Sequence, residues 1–528
     1  MSSYAEVDMS GPAPVVSVPR DYNAAKDFID RHLTEGRGQR VALIDDDGSY
    51  TYSELAERVN RAGNALRELG VGMETRVMMC MLDGIAFPSV FWGAIKIGAV
   101  PIPINTLLTT EDYGYMLKDS RAAVLVVSDA LYPKFEPIVA QQPHLKTVVV
   151  AGNTVHGHAL LTELMACAKS DLHPAPTTAD DIAFWLYSSG STGVPKGVLH
   201  LHSDLVHTAA LYGLGVLQMR ESDVVMSAAK MFFAYGLGNS MTFPWYVGAT
   251  SVVIAERPTP DAIMRALKQH QPTIFYGVPT LYGAILSDKG NDREAGSPKL
   301  RLCVSAGEAL PEGVGKEWEQ RFGVEVLDGL GSTEMLHIFL SNRIGDLKYG
   351  TSGKAVPGYE LKIVDEGDNP LNPGELGELL VKGSSAPLAY WNQRTKSLNT
   401  FLGPWTRTGD KYIVDEDGYY HYCGRSDDML KVSGNWVSPF EVESALSAHD
   451  RVLEAAVVGQ ADEQNLIKPK AFVVLKDSNT GSDALADELR TFVKNRLAPY
   501  KYPRWIEFVD SLPKTATGKI QRFKLRST

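Results

Sequence analysis

Tyr187-Ser188-Ser189-Gly190-Ser191-Thr192-Gly193-Val194-Pro195-Lys196-Gly197 follows the apolar run at residues 182–186, which places it at the end of a strand. Its three glycines let the backbone turn tightly and bring N–H groups close to an anion. Three serines and a threonine add hydroxyl donors, and Lys196 adds a positive charge. A Ser/Gly-rich loop alone is an ordinary surface feature, but the closing Pro195-Lys196-Gly197 makes this string far more specific. Two other phosphate motifs fail on spacing. A Walker A loop needs glycine directly before its lysine and Ser/Thr directly after, where this chain has Pro195 and Gly197. The dinucleotide fingerprint G-x-G-x-x-G is absent, because Gly329-Leu330-Gly331-Ser332-Thr333-Glu334 ends in glutamate.

Outward from this loop, strand-like and helix-like segments alternate. Residues 40–45 (RVALID) read as a strand. Residues 51–69 read as a helix, with Leu55, Val59, Ala62, Leu66 and Leu69 on one face, Thr51 and Glu54 as a capping box and Gly70 as the stop. Residues 76–82 read as the next strand, followed by a helix ending near Gly98. Apolar, β-branched runs at 123–128, 147–151, 250–255, 273–277 and 300–305 have the character of strands buried on both faces, as in parallel sheets covered by helices. The fold class is therefore α/β. After Gly424-Arg425 the pattern changes: strands at 452–458, 471–475 and 505–509 with a helix near 484–497 suggest a small separate α+β unit beginning close to Asp427. A chain of 528 residues is too long for one core at about 100–200 residues per domain.

The net charge is -11, and an acidic surface repels phosphate backbones, so no nucleic acid partner is expected. Cys80, Cys167, Cys303 and Cys423 include no C-x-x-C pair and read as reduced thiols, which argues against a disulfide framework or a structural zinc. Residues 1–20 are polar and Pro-bearing, lack the layout of a signal peptide, and read as a flexible arm. No apolar run reaches the about 18 residues that span a membrane. The expectation is a cytoplasmic protein without a membrane partner, either a monomer or a homodimer.

The phosphate string resembles that of the adenylate-forming superfamily of acyl- and aryl-CoA synthetases, nonribosomal adenylation domains and luciferases, and further motifs continue the resemblance in order from about Tyr50 to Arg522. It implies a large N-terminal domain (21–426) of parallel-sheet α/β subdomains plus a β-rich subdomain, and a small mobile α+β C-terminal domain (427–528). Ser188, Ser189, Gly190, Ser191, Thr192, Gly193 and Lys196 would hold the ATP phosphates. The turn Gly307-Glu308-Ala309 would pack on adenine, with Asp328 and Gly329 also at the nucleotide. Thr333 would offer a hydroxyl to phosphate, and Glu334 a hard oxygen to Mg2+. Asp410 would accept from the ribose hydroxyls, Arg425 would contact ribose or phosphate, and Asp427 matches the hinge. Lys431, Ser433, Gly434 and Trp436 would line the route of the CoA thiol, and Lys519, closing Pro513-Lys514-Thr515-Ala516-Thr517-Gly518-Lys519, matches the catalytic lysine.

The segments around residues 230–239 and 335–339 resemble those of benzoate-CoA ligases, which would place Ala234, Tyr235, Ala306, Gly331, His337 and Ile338 around an aryl ring. The implied reaction converts benzoate, ATP and CoA to benzoyl-CoA, AMP and diphosphate through a benzoyl-adenylate. A ligase for another aryl acid (hydroxybenzoate or cinnamate), an enzyme loading a carrier protein, and a non-catalytic nucleotide-binding protein stand as alternatives.

Overall fold

The structure is a computed structural model describing residues 4–188, 195–432, 435–463, 466–477, 481–498, 500–514 and 520–526. Two sheets carry the α/β part. The larger has nine strands in the order Lys354–Ala355, Ile338–Ser341, Val326–Gly331, Leu302–Ala306, Ile274–Gly277, Val224–Ser227, Thr250–Val252, Val41–Ile44 and Ser49–Thr51. Its centre is parallel, and antiparallel strands close both edges. The smaller is wholly parallel, in the order Val100–Pro103, Arg76–Cys80, Val124–Ser128, Thr147–Ala151 and Ala159–Leu160. The β-branched runs are thus buried strands: Val124–Ser128 has every residue buried.

The helix read over 51–69 spans Tyr52–Glu68 and begins with the expected box, in which the Thr51 side chain accepts from the Glu54 backbone and Glu54 answers to Thr51. Its apolar stripe packs on the helix Ala86–Lys96, and close approach is possible because both helices carry glycine at the crossing: a Cβ on Gly93 would sit 2.8 Å from the backbone nitrogen of Gly63.

Strands Glu360–Val364, Gly377–Lys382, Phe401–Leu402, Trp405–Val414 and Tyr420–Arg425 form an antiparallel sheet, the β-rich part of the large domain. Beyond Arg425 come the hairpin Leu430–Val432/Asn435–Val437 and a three-stranded sheet of Val452–Ala461, Ile467–Leu475 and Trp505–Phe508. With the helices Pro439–Ser447 and Asp483–Lys494 they bury their own cluster, which includes Leu430, Val442, Val457, Val473 and Leu489.

Residues 4–20 differ from the flexible arm expected of them. Strands Glu6–Asp8 and Val15–Ser17 pair as a hairpin. Ala5 is fully buried, and its N–H donates to Asp27 Oδ2 at 3.0 Å. The polar composition hid this because the anchor is one alanine and a buried carboxylate far along the chain. Among the described residues no helix is long and apolar enough to cross a membrane.

Candidate active site

The phosphate string joins two antiparallel strands, Ile182–Ser188 and Lys196–Leu201, with Ser188 opposite Lys196. Both ends of the loop are pinned: the Tyr187 hydroxyl donates to Asp119 Oδ2 at 2.7 Å, and the Tyr115 hydroxyl to the Pro195 carbonyl at 3.2 Å. Ser189, Gly190, Ser191, Thr192 and Gly193 lie outside the described residues. The hairpin brings Ser188 and Lys196 to Glu334: Ser188 Oγ donates to Glu334 Oε1 at 3.3 Å, and Lys196 Nζ stands 3.6 Å from the same oxygen. The Tyr390 hydroxyl donates to that oxygen at 2.8 Å, and Lys196 Nζ lies 4.3 Å from the centre of the Tyr390 ring. Burial lowers the Lys196 pKa, Glu334 opposes that shift, and Arg425 is near enough to add to the lowering. Burial and then Glu334 raise Tyr390, again with Arg425 within electrostatic reach. Residues from four separated segments thus share one pocket of charge.

Glu334 stands on the turn between strands Val326–Gly331 and Ile338–Ser341. The turn is held from below. His200 Nε2 donates to the Thr333 carbonyl at 2.8 Å, and His200 Nδ1 meets Asp204 Oδ2 at 2.9 Å. Both side chains are buried and the His200 ring stacks on Phe184 at 5.2 Å. A carbonyl only accepts, so Nε2 carries a hydrogen. Among the described residues no group of three or more His, Cys, Asp or Glu side chains could hold a metal alone. One carboxylate fits magnesium nonetheless, because that ion keeps waters and takes further oxygens from substrate phosphates.

Asp328 lies in the strand leading to this turn. Its Oδ1 is buried with no hydrogen-bond partner, and burial pushes the carboxyl well above the usual range. Such an acceptor is suited to an incoming N–H donor, since leaving it unpaired costs about 1–3 kcal/mol. Gly307, with φ +95, turns the chain after strand Leu302–Ala306, and half-buried Glu308 and Ala309 follow. Asp410 and Arg425 are cross-strand partners and pair at 3.2 Å, while Arg425 Nη1 also donates to the Thr408 carbonyl at 3.0 Å. Gly409 must be small for this: its φ is +74, and a Cβ would fall 2.7 Å from Arg425 Nη2. Asp427 follows in the turn, 3.4 Å from Arg425 Nε.

Beyond Glu334 the turn delivers His337. Its Nε2 faces the Tyr235 carbonyl at 3.3 Å and Asn239 Oδ1 at 3.2 Å, so Nε2 is the donor; Nδ1 is buried without a partner. Burial lowers the His337 pKa to about 3, which keeps the ring neutral at pH 7. Phe243 meets it edge-on at 4.4 Å, and Tyr235 and Tyr212 lie at 5.5 Å. The Tyr235 hydroxyl is tied to the carbonyls of Gly277 (3.3 Å) and Val304 (3.2 Å), leaving its ring as wall. Gly331 abuts the His337 backbone, where a Cβ would sit at 2.8 Å. Ala306 and Ile338 belong to the adjoining apolar cluster, against which Ala234 and Tyr235 pack. Phe232 lies in that core.

Lys431 and Trp436 face each other across the hairpin, with Nζ 5.3 Å from the indole ring and Trp436 41% exposed. Ser433, Gly434 and Lys519 lie outside the described residues. Sequence reasoning missed Tyr390 and His200–Asp204. Tyr390 sits in Pro387-Leu388-Ala389-Tyr390-Trp391-Asn392, which has no charged signature, whereas the run His200-x-His202-x-Asp204 after the phosphate loop was a readable signal.

The chain matches the family model "AMP-binding enzyme" over residues 30–391 and "AMP-binding enzyme C-terminal domain" over 441–519. It is 60% identical over 529 residues to a benzoate–CoA ligase of Thauera aromatica, covering all of both chains. It is 51% identical to a 4-hydroxybenzoate–CoA/benzoate–CoA ligase of Rhodopseudomonas palustris, over 96% of this chain and 94% of that one. Among solved structures it resembles a benzoate CoA ligase from Burkholderia xenovorans LB400, with a TM-score of 0.90 and 52% identity, over 96% of this chain and 100% of the other.

Proposed function

The chain belongs to the AMP-binding enzymes, and from that premise we propose that it is an ATP-dependent benzoate–CoA ligase. The observation that carries the substrate is that His337 lies on the same turn as Glu334, so an apolar region walled by aromatic rings adjoins the proposed phosphate site. A flat acid whose ring packs against Tyr235, Ile338 and the neutral His337 edge would point its carboxylate at the phosphates.

Both reactants of the first step are anions, so the site's work is to hold them together and absorb charge. Ser188 and Lys196, with the adjoining loop, would cradle the phosphates. Glu334 would hold Mg2+, which when bound would neutralise phosphate charge. Asp328 Oδ1 would accept from the adenine amino group, and Asp410 from the ribose hydroxyls. Lys519 would bridge carboxylate and α-phosphate as the carboxylate attacks phosphorus and diphosphate leaves. In the second step the CoA thiol attacks the acyl carbon of the benzoyl-adenylate and AMP departs. The Lys431–Trp436 hairpin would line the thiol's route after the C-terminal domain turns at Asp427. The cytoplasm is the proposed compartment, in keeping with four free cysteines.

The test is AMP release with ATP, magnesium and CoA across benzoate, 4-hydroxybenzoate, cinnamate and octanoate. Benzoate is expected to be preferred. Faster turnover of octanoate or 4-hydroxybenzoate would move the substrate, and no turnover of any would remove the ligase reading.

A further inference from the structure

We propose that Tyr390 is a positioning residue that reserves one oxygen of Glu334 for the divalent cation and holds Lys196 ready for phosphate; this rests on the ligase reading above. Among the described residues the carboxylate of Glu334 is engaged on one side only. Oε1 takes the Tyr390 hydroxyl at 2.8 Å, Ser188 Oγ at 3.3 Å and the Lys196 charge at 3.6 Å. Among the described residues Oε2 accepts no hydrogen bond. A carboxylate with one oxygen occupied by neutral hydroxyls cannot rotate freely, so the other oxygen has a fixed direction.

Lys196 gains a second tether from the same residue. Its Nζ donates to the Tyr390 hydroxyl at 3.3 Å and lies over the ring. Lys196 Nζ thus rests 3.6 Å from Glu334 Oε1, an ion pair beyond direct hydrogen-bond distance, with the Tyr390 hydroxyl bonded to both groups. The hydroxyl is a spacer between two opposite charges that each have work to do on the phosphates.

Tyr390 is itself firmly placed. Residues 388–391 run antiparallel to strand Lys196–Leu201, through Leu388 N–H to the Leu199 carbonyl (2.9 Å) and Trp391 N–H to the Gly197 carbonyl (2.8 Å). The Tyr390 ring packs on Phe401 at 4.9 Å, its N–H donates to Ser397 Oγ at 3.0 Å, and it is 4% exposed. The neighbouring Trp391 stacks on Trp185 at 4.7 Å. This stretch moves with the phosphate hairpin, so Tyr390 carries the hairpin's position to Glu334.

The experiment is calorimetric ATP binding to the full chain across a magnesium titration, for wild type, Tyr390→Phe and Tyr390→Leu. The phenyl ring retains the packing and lies under Lys196 as before, and loses the hydroxyl with its bonds to Glu334 and Lys196. Tyr390→Phe is expected to raise the magnesium concentration for half-maximal ATP binding about tenfold, the scale of one hydrogen bond to a charged group. Its metal-free ATP binding should fall less, because Lys196 keeps the ring and loses only the hydroxyl. Tyr390→Leu should weaken ATP binding with and without magnesium, because Lys196 loses the ring. An unchanged magnesium midpoint in Tyr390→Phe, or a loss equal at all magnesium concentrations, overturns the proposal. If the wild type binds ATP with magnesium but adenylates no aryl acid, the ligase reading fails while the titration still judges Tyr390.

Discussion

His200 Nε2 donates to the carbonyl of Thr333 at 2.8 Å, joining the second strand of the phosphate hairpin to the turn that carries Glu334. Asp204 orients the ring from behind at 2.9 Å. Removing the ring in His200→Ala frees the Thr333 carbonyl and lets the turn relax. Because displacement of about 1 Å at a reacting centre can cost 10²-fold, kcat/KM for adenylation should fall about 10- to 100-fold in ATP–pyrophosphate exchange. His200→Gln, whose amide N–H can reach the same carbonyl, should recover part of the loss. An unchanged exchange rate in His200→Ala would show that the turn needs no such support.

Asp410 has two duties: it neutralises Arg425 at 3.2 Å and is the proposed ribose acceptor. Asp410→Ala should therefore raise the KM for ATP about tenfold or more, the scale of a charge-assisted hydrogen bond, while the KM for benzoate changes little. Steady-state kinetics with each substrate varied separately decides this. Equal rises in both would point to general loosening of the sheet edge.

The seat of His337 depends on Gly238, where a Cβ would fall 2.3 Å from Cδ2 of the imidazole. Gly238→Ala must displace the ring from this seat beside the proposed aryl site. Overpacking of this kind costs about 1–3 kcal/mol, so kcat/KM for benzoate should drop about 10- to 100-fold with ATP binding intact. Retained benzoate turnover would mean that the ring of the acid lies elsewhere.

The parts of the fold legible in sequence are those with local causes. The helix Tyr52–Glu68 announces itself through Thr51, Glu54 and a one-faced stripe, and strand Thr147–Ala151 through its β-branched run. The motifs proposed for the nucleotide stood out in sequence because glycine and charge at fixed spacing have few other uses. What escaped depends on contacts between distant segments. Tyr390 matters because residues 388–391 lie against the phosphate hairpin, a pairing across nearly two hundred positions that no local pattern encodes. The N-terminal hairpin escaped for the same reason, since Ala5 is buried by Asp27 rather than by its own neighbours in sequence.

Asp328 makes a prediction about pH. Burial raises its carboxyl well above the unfolded value near 3.8. Above pH 3.8 the unfolded chain gives up this proton while the folded chain retains it, so this group's contribution to stability declines as pH rises from there toward the folded value. Asp328→Asn removes the titration. It should stabilise the large domain by about 1–3 kcal/mol at neutral pH, with the gain shrinking toward zero near pH 4. Thermal melts of both proteins at several pH values test this, and a gain independent of pH would place the cause in packing.

The hinge gives the last prediction. Asp427, the proposed hinge, lies in the turn after strand Tyr420–Arg425, and the next residue is tied to the C-terminal elements. Asp428 pairs with Arg522 at 3.6 Å and with Arg526. Arg522 in turn grips Glu443 through two bonds of 3.0 and 2.6 Å, and Glu443 accepts the Val457 N–H at 2.7 Å. From Asp428 onward the small domain is thus cross-braced, and the tail after Lys519 is fastened to it. On the other side, Ser426 N–H donates to the Gly409 carbonyl at 2.9 Å and Asp427 pairs with Arg425, so the proposed rotation falls where these two sets of ties meet, at Asp427. Asp427→Pro fixes φ near −65° and restricts Ser426 as well. Whichever orientation proline permits, the other should be lost; with adenylation as the retained state, benzoyl-adenylate formation should persist. Thioester formation from added benzoyl-adenylate and CoA should fall about 100-fold, as expected when a gating motion is blocked. Equal loss in the two half-reactions would mean that the joint is not at Asp427, or that one orientation serves both steps.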